Sequence, residues 1–374
     1  MIPARVAFLT STIRPHMESF YGALGTRVRE LRVFLSSPST AELRSIEDAG
    51  FQVTVQKSLI LPSPWVHPIG FADSMSVVLP YDTSRQLTKY RPDIIISGEC
   101  GMRSVQSAIY CLRHARCPLV LLTNLSEHTE AGRGRLRGVT RRWLFKRASA
   151  VLVNGQSAQR YVERLGCDPD KVAKVPYTVP VTFKYDHAVP SYTQVRRLLY
   201  VGQLTERKAI MPFVESLGHY CTNNPTFPVE LWIAGAGPLE RRLKTQALGG
   251  RGTMRFLGSV SYENLPAIYK GADLFVFPTL ADEWGVVVNE AMASGLPVLG
   301  SVYSQAVEEL VEDGVTGWVF RPDHRDELMA RLCQALSTSP ERLAQMGRLA
   351  AERVSRVTPD AAAEQMVSAI AKLL

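Results

Sequence analysis

The sequence predicts an α/β protein in which two doubly wound, Rossmann-like domains face each other across a cleft. The chain has 374 residues, more than one ordinary hydrophobic core serves, so two domains are expected. Short β-branched runs alternate with amphipathic stretches, a pattern that predicts parallel sheets with helices on both faces. A stretch with Pro180 and Pro190 but little periodicity, Val179–Val195, separates two such series. We therefore expect a first domain over residues 1–185 and a second over 195–356.

The first domain is predicted to contain six strands, each a short apolar run rich in β-branched residues. They are Val6–Leu9, Arg32–Leu35, Phe51–Val55, Asp93–Ser97, Leu119–Thr123 and Ala150–Val153. Between them, Ser104–His114 and Arg135–Lys146 have the spacing of amphipathic helices.

The second domain repeats the alternation. Its predicted strands are Arg197–Val201, Glu230–Ala234, Met254–Leu257, Leu274–Phe277, Leu296–Leu299 and Gly317–Phe320. Its predicted helices are Ala209–Tyr220, Pro238–Ala247, Tyr262–Tyr269, Val286–Ser294, Ala306–Val311 and Asp326–Leu336, and an Ala-rich helix, Pro359–Leu374, ends the chain. Ligands of such sheets bind beyond the carboxyl ends of the strands, so the residues that follow strands are the candidates for function.

Composition excludes several classes of protein. Apolar residues make up 46% of the chain and charged residues 21%, as in soluble globular proteins. No stretch approaches the ~18 uninterrupted apolar residues of a membrane span, and the four apolar residues Val6–Leu9 are too few for a signal peptide. The six cysteines form no CxxC pair and lack the neighbours of a zinc site, so we expect reduced thiols in the cytoplasm and no bound metal.

Positive charge concentrates between Ala131 and Arg147, in a chain whose net charge is +8. Seven basic residues occur there without an intervening acid: Arg133, Arg135, Arg137, Arg141, Arg142, Lys146 and Arg147. One interpretation is a solvated helix face with a core-facing aromatic residue, since Trp143, Leu144 and Phe145 lie inside the run. The other is a patch over Arg133–Arg147 that meets anionic lipid headgroups or a phosphorylated acceptor, on the cytoplasmic face of a membrane. No nucleic-acid motif accompanies the charges, so nucleic acid is not an expected partner.

The segment Ala281–Val298 carries the most informative pattern. Asp282 lies in an acidic loop, Gly285 precedes a helix, and Glu290 lies about one turn inside that helix. The start of the helix offers free N–H groups and a positive dipole end to a phosphate. Glu290 can accept hydrogen bonds from two neighbouring ribose hydroxyls, and Asp282 from those of a sugar. This order of groups predicts a nucleotide-sugar site.

A second segment, Arg197–Lys208, reads as a strand, a turn at Gly202 and Gln203, and a helix opened by Arg207 and Lys208. Fixed cations can neutralise a departing diphosphate without a metal ion. The alternative is that both cations are exposed helix charges.

Two further motifs are weaker. Gly235 and Gly237 form a turn after a strand, where glycine lets the backbone approach a ligand closely; a tight turn required for packing explains them as well. Asp168-Pro169-Asp170 resembles a metal-binding DxD triplet, but its position in a loop favours turn chemistry.

In the first domain, candidate acceptor-side residues follow predicted strands, where they would face the cleft. They are Arg14, His16, Glu99, Glu127 and His128. The argument for each is its position after a strand, and ordinary polar residues of surface loops are the alternative.

The second half of the chain, from about Arg197 to about Leu336, resembles the retaining GT-B glycosyltransferases of family 4. The resemblance rests on the glycine turn with Lys208, the Gly235/Gly237 turn, Phe256–Val260, Ala272–Pro278, the acidic loop with its helix, and Gly314–Trp318. It implies the GT-B architecture. It also implies that the segment 357–374 crosses back onto the first domain.

Roles follow from the resemblance residue by residue. It implies that Glu290 holds the ribose and that Asp282 contacts the donor sugar. The diphosphate and sugar would meet the helix start, Gly285, Val286 and Val287, and the two residues before it, Glu283 and Trp284. Arg207 and Lys208 would neutralise the diphosphate, and Gly258 to Val260 would border the base. Two positions depart from the family pattern: Asp282 replaces its first glutamate, and Gln203 stands where an arginine is often found.

The resemblance therefore implies a metal-independent, retaining hexosyltransferase. It would use a nucleotide sugar and a glycan, lipid-linked or small-molecule acceptor, and no protein base would be essential. Two alternatives remain: a nucleotide-sugar epimerase, for which Glu99, Glu127 and His128 are the candidate acids and bases, and a protein that binds a nucleotide sugar without turnover.

Overall fold

The computed structural model describes residues 1–39, 51–178, 183 and 195–374. Apart from Phe183 and Val195, the predicted linker Val179–Val195 lies outside the described residues. The chain divides into two compact units. The first comprises Met1–Trp65, Ser74–Pro180 and Val357–Leu374, and the second comprises Val66–Asp73 and Val181–Arg356.

The first unit is built on a seven-stranded parallel sheet. The strands of this half of the chain are β1 (Ile2–Thr10), β2 (Val28–Leu35), β3 (Gln52–Val55), β4 (Ser58–Val66), β5 (Ala72–Pro80), β6 (Ile94–Gly98), β7 (Leu119–Thr123), β8 (Ala150–Val153) and β9 (Val172–Lys174). The sheet order is β3-β2-β1-β6-β7-β8-β9, and β4 and β5 pair separately as a hairpin. Side chains of β6 such as Ile95 and Ile96 are fully buried, as expected for a strand with both faces covered.

The helices of the first unit pack on both faces of this sheet. They are α1 (Pro15–Gly25), α2 (Thr83–Tyr90), α3 (Met102–Arg113), α4 (Arg135–Arg147) and α5 (Gln156–Arg164). A short 3-10 turn, Pro169–Lys171, follows α5.

The second unit is built on a six-stranded parallel sheet. Its strands are β10 (Arg196–Val201), β11 (Val229–Ala234), β12 (Gly252–Gly258), β13 (Leu274–Phe277), β14 (Val298–Ser301) and β15 (Gly317–Phe320). The order is β12-β11-β10-β13-β14-β15, so the strand order reverses between β10 and β13. Ligands of doubly wound sheets bind beyond the carboxyl ends of the strands at such a reversal.

Eight α-helices follow β10 among the described residues; the first seven belong to the second unit, and the last belongs to the first unit. They are α6 (Ile210–Asn223), α7 (Glu240–Lys244), α8 (Leu265–Lys270), α9 (Val286–Ala293), α10 (Gln305–Leu310), α11 (Arg325–Ser337), α12 (Pro340–Val354) and α13 (Pro359–Ala371). Small residues of α13, Ala362 and Ala363, let it pack closely against α1, and Met366 and Ile370 join the same apolar core.

The predicted α/β class is confirmed, and each predicted strand occurs with ends that differ by a few residues. The strand predicted at Leu296–Leu299 begins two residues later, because Gly295 has a φ of 80° and ends the preceding helix. The predicted helix Tyr262–Tyr269 divides into a 3-10 turn, Tyr262–Asn264, and α8, whose first turn contains a proline. The sequence prediction omitted the β4–β5 hairpin, since its two strands alternate poorly.

No helix among the described residues is long and apolar enough to cross a membrane.

Candidate functional site

The carboxyl ends of β10 and β13 bring Arg207, Lys208 and Asp282 together in the second unit. Arg207 and Lys208 lie in a 3-10 turn, Glu206–Lys208, and Asp282 lies in the loop before α9. Lys208 Nζ donates a hydrogen bond to Asp282 Oδ2. Arg207 Nη1 lies 3.9 Å from the same oxygen and donates to the Ala281 carbonyl at 3.0 Å. The two cations are therefore held in place by the acidic loop, and both are largely buried.

Burial and pairing act in opposite directions on the charges of this cluster. Burial lowers the pKa of Lys208, and the Asp282 carboxylate partly reverses that effect. Burial would raise the pKa of Asp282, but Lys208 and Arg207 outweigh it and the pKa is lowered. Asp282 therefore stays ionised at neutral pH.

A third acid, Asp73, was not found by sequence analysis. Its Oδ2 accepts a hydrogen bond from Arg207 Nε at 2.6 Å, and both residues belong to the second unit. Asp73 lies in a strand that precedes Arg207 by more than a third of the chain. Only the folded chain brings the two together, so no local pattern in the sequence pointed to this pair.

The turn before α9 depends on Gly285, which has a φ of 100°. A Cβ at this position would lie 2.8 Å from both Phe277 Cε1 and Ser304 Oγ, so glycine is required there. The Trp284 side chain is buried, and its Nε1 donates to Asn289 Oδ1 at 2.8 Å. The indole thus fixes the turn from the core side, and the backbone amides at the start of α9 are what the turn presents.

Glu290 lies one turn into α9 and is almost fully buried. Its Oε2 accepts a hydrogen bond from Tyr269 Oη at 2.9 Å. Burial raises the pKa of Glu290 to about 7, although the bond from Tyr269 lowers it somewhat. Burial together with the Glu290 charge raises the pKa of Tyr262 and of Tyr269. Both tyrosines fell within a predicted helix, where sequence analysis gave them no role.

The glycine turns after β10, β11 and β12 are packed against one another. A Cβ on Gly235 would lie 1.9 Å from the Gly202 carbonyl oxygen, and one on Gly237 would lie 2.5 Å from that of Leu204. Gly235 N donates to the Gly258 carbonyl at 2.7 Å. Packing thus accounts for these glycines, while their backbone lies at the edge of the sheet where ligands bind.

Two other residues of the donor-side prediction lie in these turns. The Gln203 carbonyl accepts a hydrogen bond from Tyr200 Oη at 2.7 Å, and Val260 follows β12. Glu283 precedes Trp284 in the acidic loop, and its carbonyl accepts a bond from Gln305 Nε2 at 2.5 Å. The loop is therefore tied to α10 through its backbone.

The Asp168-Pro169-Asp170 triplet is a turn. Asp168 Oδ1 accepts a hydrogen bond from the Asp170 amide at 3.1 Å and caps the 3-10 turn that follows. Among the described residues, no group of three or more His, Cys, Asp or Glu side chains is placed to hold a metal ion.

In the first unit, Arg14 and His16 follow β1 as expected. His16 is buried, and burial, with a smaller effect of Arg14, lowers its pKa to about 4. Its ring centroid lies 5.9 Å from that of Tyr177, whose Oη accepts a hydrogen bond from Asn124 Nδ2 at 2.6 Å. His16 is therefore a neutral side chain at physiological pH.

Glu99 and Glu127 both pair with arginines. Glu99 has a φ of 71°, and its Oε2 lies 3.1 Å from Arg103, a buried residue that also donates to Ser36 Oγ at 2.6 Å. Sequence analysis missed Arg103, which lies within an ordinary helical pattern.

Glu127 takes part in ion pairs with two residues of α5. Arg160 Nε lies 2.8 Å from Glu127 Oε2, and Arg164 Nη1 lies 3.4 Å from Oε1. His128 is half-buried in the same loop.

Family models match both halves of the chain. A model described as "Glycosyl transferase 4-like domain" matches residues 11–178, and one described as "Glycosyl transferases group 1" matches residues 195–338. The two models together cover most of the chain.

Several curated proteins are similar to it. The chain is 27% identical over 330 residues to phosphatidyl-myo-inositol mannosyltransferase of Mycolicibacterium smegmatis, an alignment that covers 83% of each chain. It is 30% identical over 198 residues to O-antigen chain mannosyltransferase B of Escherichia coli, covering 51% of this chain and 49% of that one. It shares 27% identity with WcaL of Salmonella typhimurium, but spans only about half of that relative's length.

Solved structures share the fold along nearly the whole chain. HepE (Alr3699) of Anabaena, solved in complex with UDP and glucose, has a TM-score of 0.73 and 18% identity, covering 99% of this chain and 100% of that one. The apo form of the lipopolysaccharide outer core galactosyltransferase WaaB has a TM-score of 0.74 and 14% identity, covering 99% of this chain and 100% of that one. The predicted GT-B class is thereby confirmed for the two parallel sheets.

Proposed function

The chain belongs to the glycosyl transferases group 1 family, and on that premise we propose that it transfers a hexose from a nucleotide diphosphate donor to an acceptor hydroxyl with retention of configuration. One observation carries the proposal. Two largely buried cations, Arg207 and Lys208, meet an acidic loop and the start of α9, with Glu290 one turn further in. A cation pair beside a helix start suits a diphosphate.

In this proposal each part of a donor has its own partner. The diphosphate replaces Asp73 beside Arg207 and Asp282 beside Lys208. The first backbone amides of α9 donate hydrogen bonds to its oxygens. Glu290 accepts hydrogen bonds from the ribose hydroxyls, and the base lies beside the turn from Gly258 to Val260. Asp282, displaced from Lys208, accepts bonds from the donor sugar.

The chemistry needs charge stabilisation more than a protein base. The bond between the anomeric carbon and the diphosphate oxygen breaks, and a bond from that carbon to the acceptor oxygen forms on the same face. The acceptor proton passes to an oxygen of the departing diphosphate. Arg207, Lys208 and the helix start stabilise the negative charge that develops on the leaving group, in a site where burial strengthens such interactions.

The relatives suggest where to look for substrates. Their names describe mannosyl and galactosyl transfer and, in one case, a phosphatidylinositol acceptor, and one structural relative holds UDP and glucose. A hexose donor with a glycan, lipid-linked or small-molecule acceptor is therefore the proposal to test first.

The test is donor binding and hydrolysis across UDP-, GDP-, ADP- and dTDP-hexoses, followed by transfer to lipid and glycan acceptors. We expect one donor to turn over in the wild type, and the turnover to be lost in Glu290→Ala. Conversion of a donor to its epimer without an acceptor would instead support an epimerase. Binding without turnover on any acceptor would support a binding protein.

We expect transfer to persist after chelation of divalent ions, because protein cations and the helix start supply the positive charge at the diphosphate. Turnover of the donor identified above is measured with EDTA and again after Mg²⁺ is restored. Activity that EDTA abolishes and Mg²⁺ restores would contradict metal independence.

Asp73→Asn is expected to tighten UDP binding, because it removes an anion that competes with the diphosphate for Arg207. For a largely buried pair that retains some solvent contact we expect roughly a twofold to fivefold lower Kd. Calorimetric titration of UDP measures it, with Asp360→Asn, which alters an exposed ion pair to Arg27, as the control. A higher Kd in the variant, meaning weaker binding of UDP, would show that Asp73 instead positions Arg207 for the ligand.

A further inference from the structure

Three elements of the first unit pack together beside the basic run. Helix α4 contacts α3, and the segment before α4 contacts β4. Trp65 Nε1 donates to the Ala131 carbonyl at 3.0 Å, and the Arg133 guanidinium stacks 3.8 Å from the Trp65 ring centroid. Arg137 Nη2 lies 3.4 Å from Ser63 Oγ. We call the outer surface of α3, α4 and β4 the basic–apolar face.

Each of these three elements carries exposed apolar side chains. Apart from Met1 and Leu374 at the ends, every strongly exposed large hydrophobic residue among those described lies between Val55 and Val139. On α4 these are Leu136, 81% exposed, and Val139, 61% exposed, which are neighbours at a spacing of three. The other two elements also carry exposed apolar residues: Leu59, Ile60 and Leu61 on β4, whose side chains alternate between the two sides of the strand, and Met102, Ile109 and Leu112 on α3.

The segments that form this face contain basic residues and no acids of their own. The segments 56–72, 100–117 and 131–147 contain no Asp or Glu. Glu130, which lies beside the last of them, pairs with the buried Arg141. Arg141 therefore belongs to the interior, and the exposed cations of α4 include Arg135, Arg142 and Lys146.

The solvated-helix interpretation accounts for only part of the basic run. Leu144 and Phe145 are buried in the core, as the solvated-helix interpretation expects. The first turns of α4 do not follow that interpretation, since Leu136 and Val139 point to solvent beside the cations. An exposed aliphatic cluster surrounded by positive charge is typical of a surface that enters the boundary between lipid headgroups and acyl chains.

We propose that the basic–apolar face docks on a bilayer that contains anionic phospholipids. Leu136 and Val139 enter the boundary below the headgroups, and the neighbouring cations contact lipid phosphates. The face carries aliphatic residues, whereas its indoles are covered: Trp65 is buried, and Arg147 stacks on Trp143 at 4.2 Å. A single-stranded nucleic acid would use exposed aromatic rings for stacking, so lipid fits this face better.

Vesicle binding tests the proposal without relying on the proposed activity. The full chain is sedimented with vesicles of phosphatidylcholine alone and of phosphatidylcholine with phosphatidylglycerol, at low and high salt. We expect binding to the anionic vesicles that weakens with salt. Two triplets of exposed cations are compared, Arg135→Gln/Arg142→Gln/Lys146→Gln on α4 and Arg241→Gln/Arg242→Gln/Arg348→Gln in the second unit. The first should lose about tenfold or more in partitioning, and the second should bind as the wild type.

The apolar part of the proposal has its own variants. Leu136→Ser/Val139→Ser should weaken binding to anionic vesicles several-fold. The affinity of the same variant for a labelled oligonucleotide should equal that of the wild type. In Leu136→Trp, emission should shift to the blue on anionic vesicles and be shielded from an aqueous quencher, and in Arg241→Trp it should do neither.

Three results would overturn the proposal. One is equal binding to neutral and anionic vesicles. Another is wild-type binding by both the α4 cation triplet and the serine pair. The third is tighter binding to the oligonucleotide than to vesicles, with loss only in the cation variant, which would make the face a polyanion site.

Discussion

Lys208→Met is expected to lower kcat by about a hundredfold to a thousandfold, or roughly 2.7–4 kcal/mol of barrier. Lys208 is buried at the carboxyl end of β10 beside the acidic loop, where a diphosphate would gain negative charge as it leaves. The buried position strengthens the effect of one cation on that charge. Turnover at saturating donor measures it.

The same change also costs stability, which must be separated from catalysis. Removing one partner of a buried ion pair typically costs roughly 3–5 kcal/mol of stability. Without Lys208, the Asp282 carboxylate still has Arg207 Nη1 at 3.9 Å, which offsets part of that cost. Lys208→Met/Asp282→Asn removes both charges and should recover most of the free energy of unfolding. Because the diphosphate would still lack its cation, the double variant should stay inactive. Recovery of kcat together with stability would mean that Lys208 has a structural role only.

Glu290→Gln is expected to stabilise the unliganded protein at pH 8 while it weakens UDP binding. The pKa of Glu290 in the folded chain is about 7, against an ordinary 4.5, so the folded state holds this proton more tightly than the unfolded state. The stability gained from that proton is fully present below about pH 4.5 and is lost as the pH rises through 7. The difference of pKa corresponds to about 3 kcal/mol, which the neutral glutamine would largely restore at pH 8.

Binding should respond in the opposite sense. An ionised Glu290 can accept hydrogen bonds from both ribose hydroxyls. The affinity of the wild type for UDP should therefore increase as the pH is raised through about 7. Glutamine offers one acceptor, and we expect roughly a tenfold to hundredfold loss of affinity. The rise in affinity near pH 7 that Glu290 causes should disappear in this variant, which leaves only the change caused by ionisation of the UDP phosphate near roughly pH 6. Thermal unfolding and UDP titration between pH 5 and 8 measure both effects, with the exposed Glu263→Gln as control. If Glu290→Gln binds UDP with the affinity of the wild type, Glu290 does not belong to the nucleotide site.

Much of the fold could be predicted because its signals are local. In β6, a run of three isoleucines predicts a strand buried on both faces, and Ile94, Ile95 and Ile96 are indeed fully buried. The β4–β5 hairpin escaped prediction for the opposite reason. Its strand β4 leaves Leu59, Ile60 and Leu61 exposed together, so it lacks the alternation that marks a half-buried strand.

The candidate site was predicted to the extent that one loop or turn carries it. Gly285 and Glu290 share a single loop-helix segment, whose order fixes their relative placement. The domain boundaries, and the roles of the donor-side and acceptor-side residues, remain predictions. Tyr269 escaped notice because its contact with Glu290 joins α8 to α9, and a tyrosine in a helical pattern reads as ordinary core.

The sequence by itself determined the α/β class, the succession of strands and helices along the chain, and the segments in which cations, acids and a helix start occur, because strand, turn and helix formation depend on neighbouring residues. Only the tertiary structure decided which charges neutralise one another and which side chains are buried. It pairs Arg207 with Asp73 and Lys208 with Asp282, and it buries Glu290. Ion pairing and pKa depend on distance through space and on the loss of water, neither of which the order of residues contains.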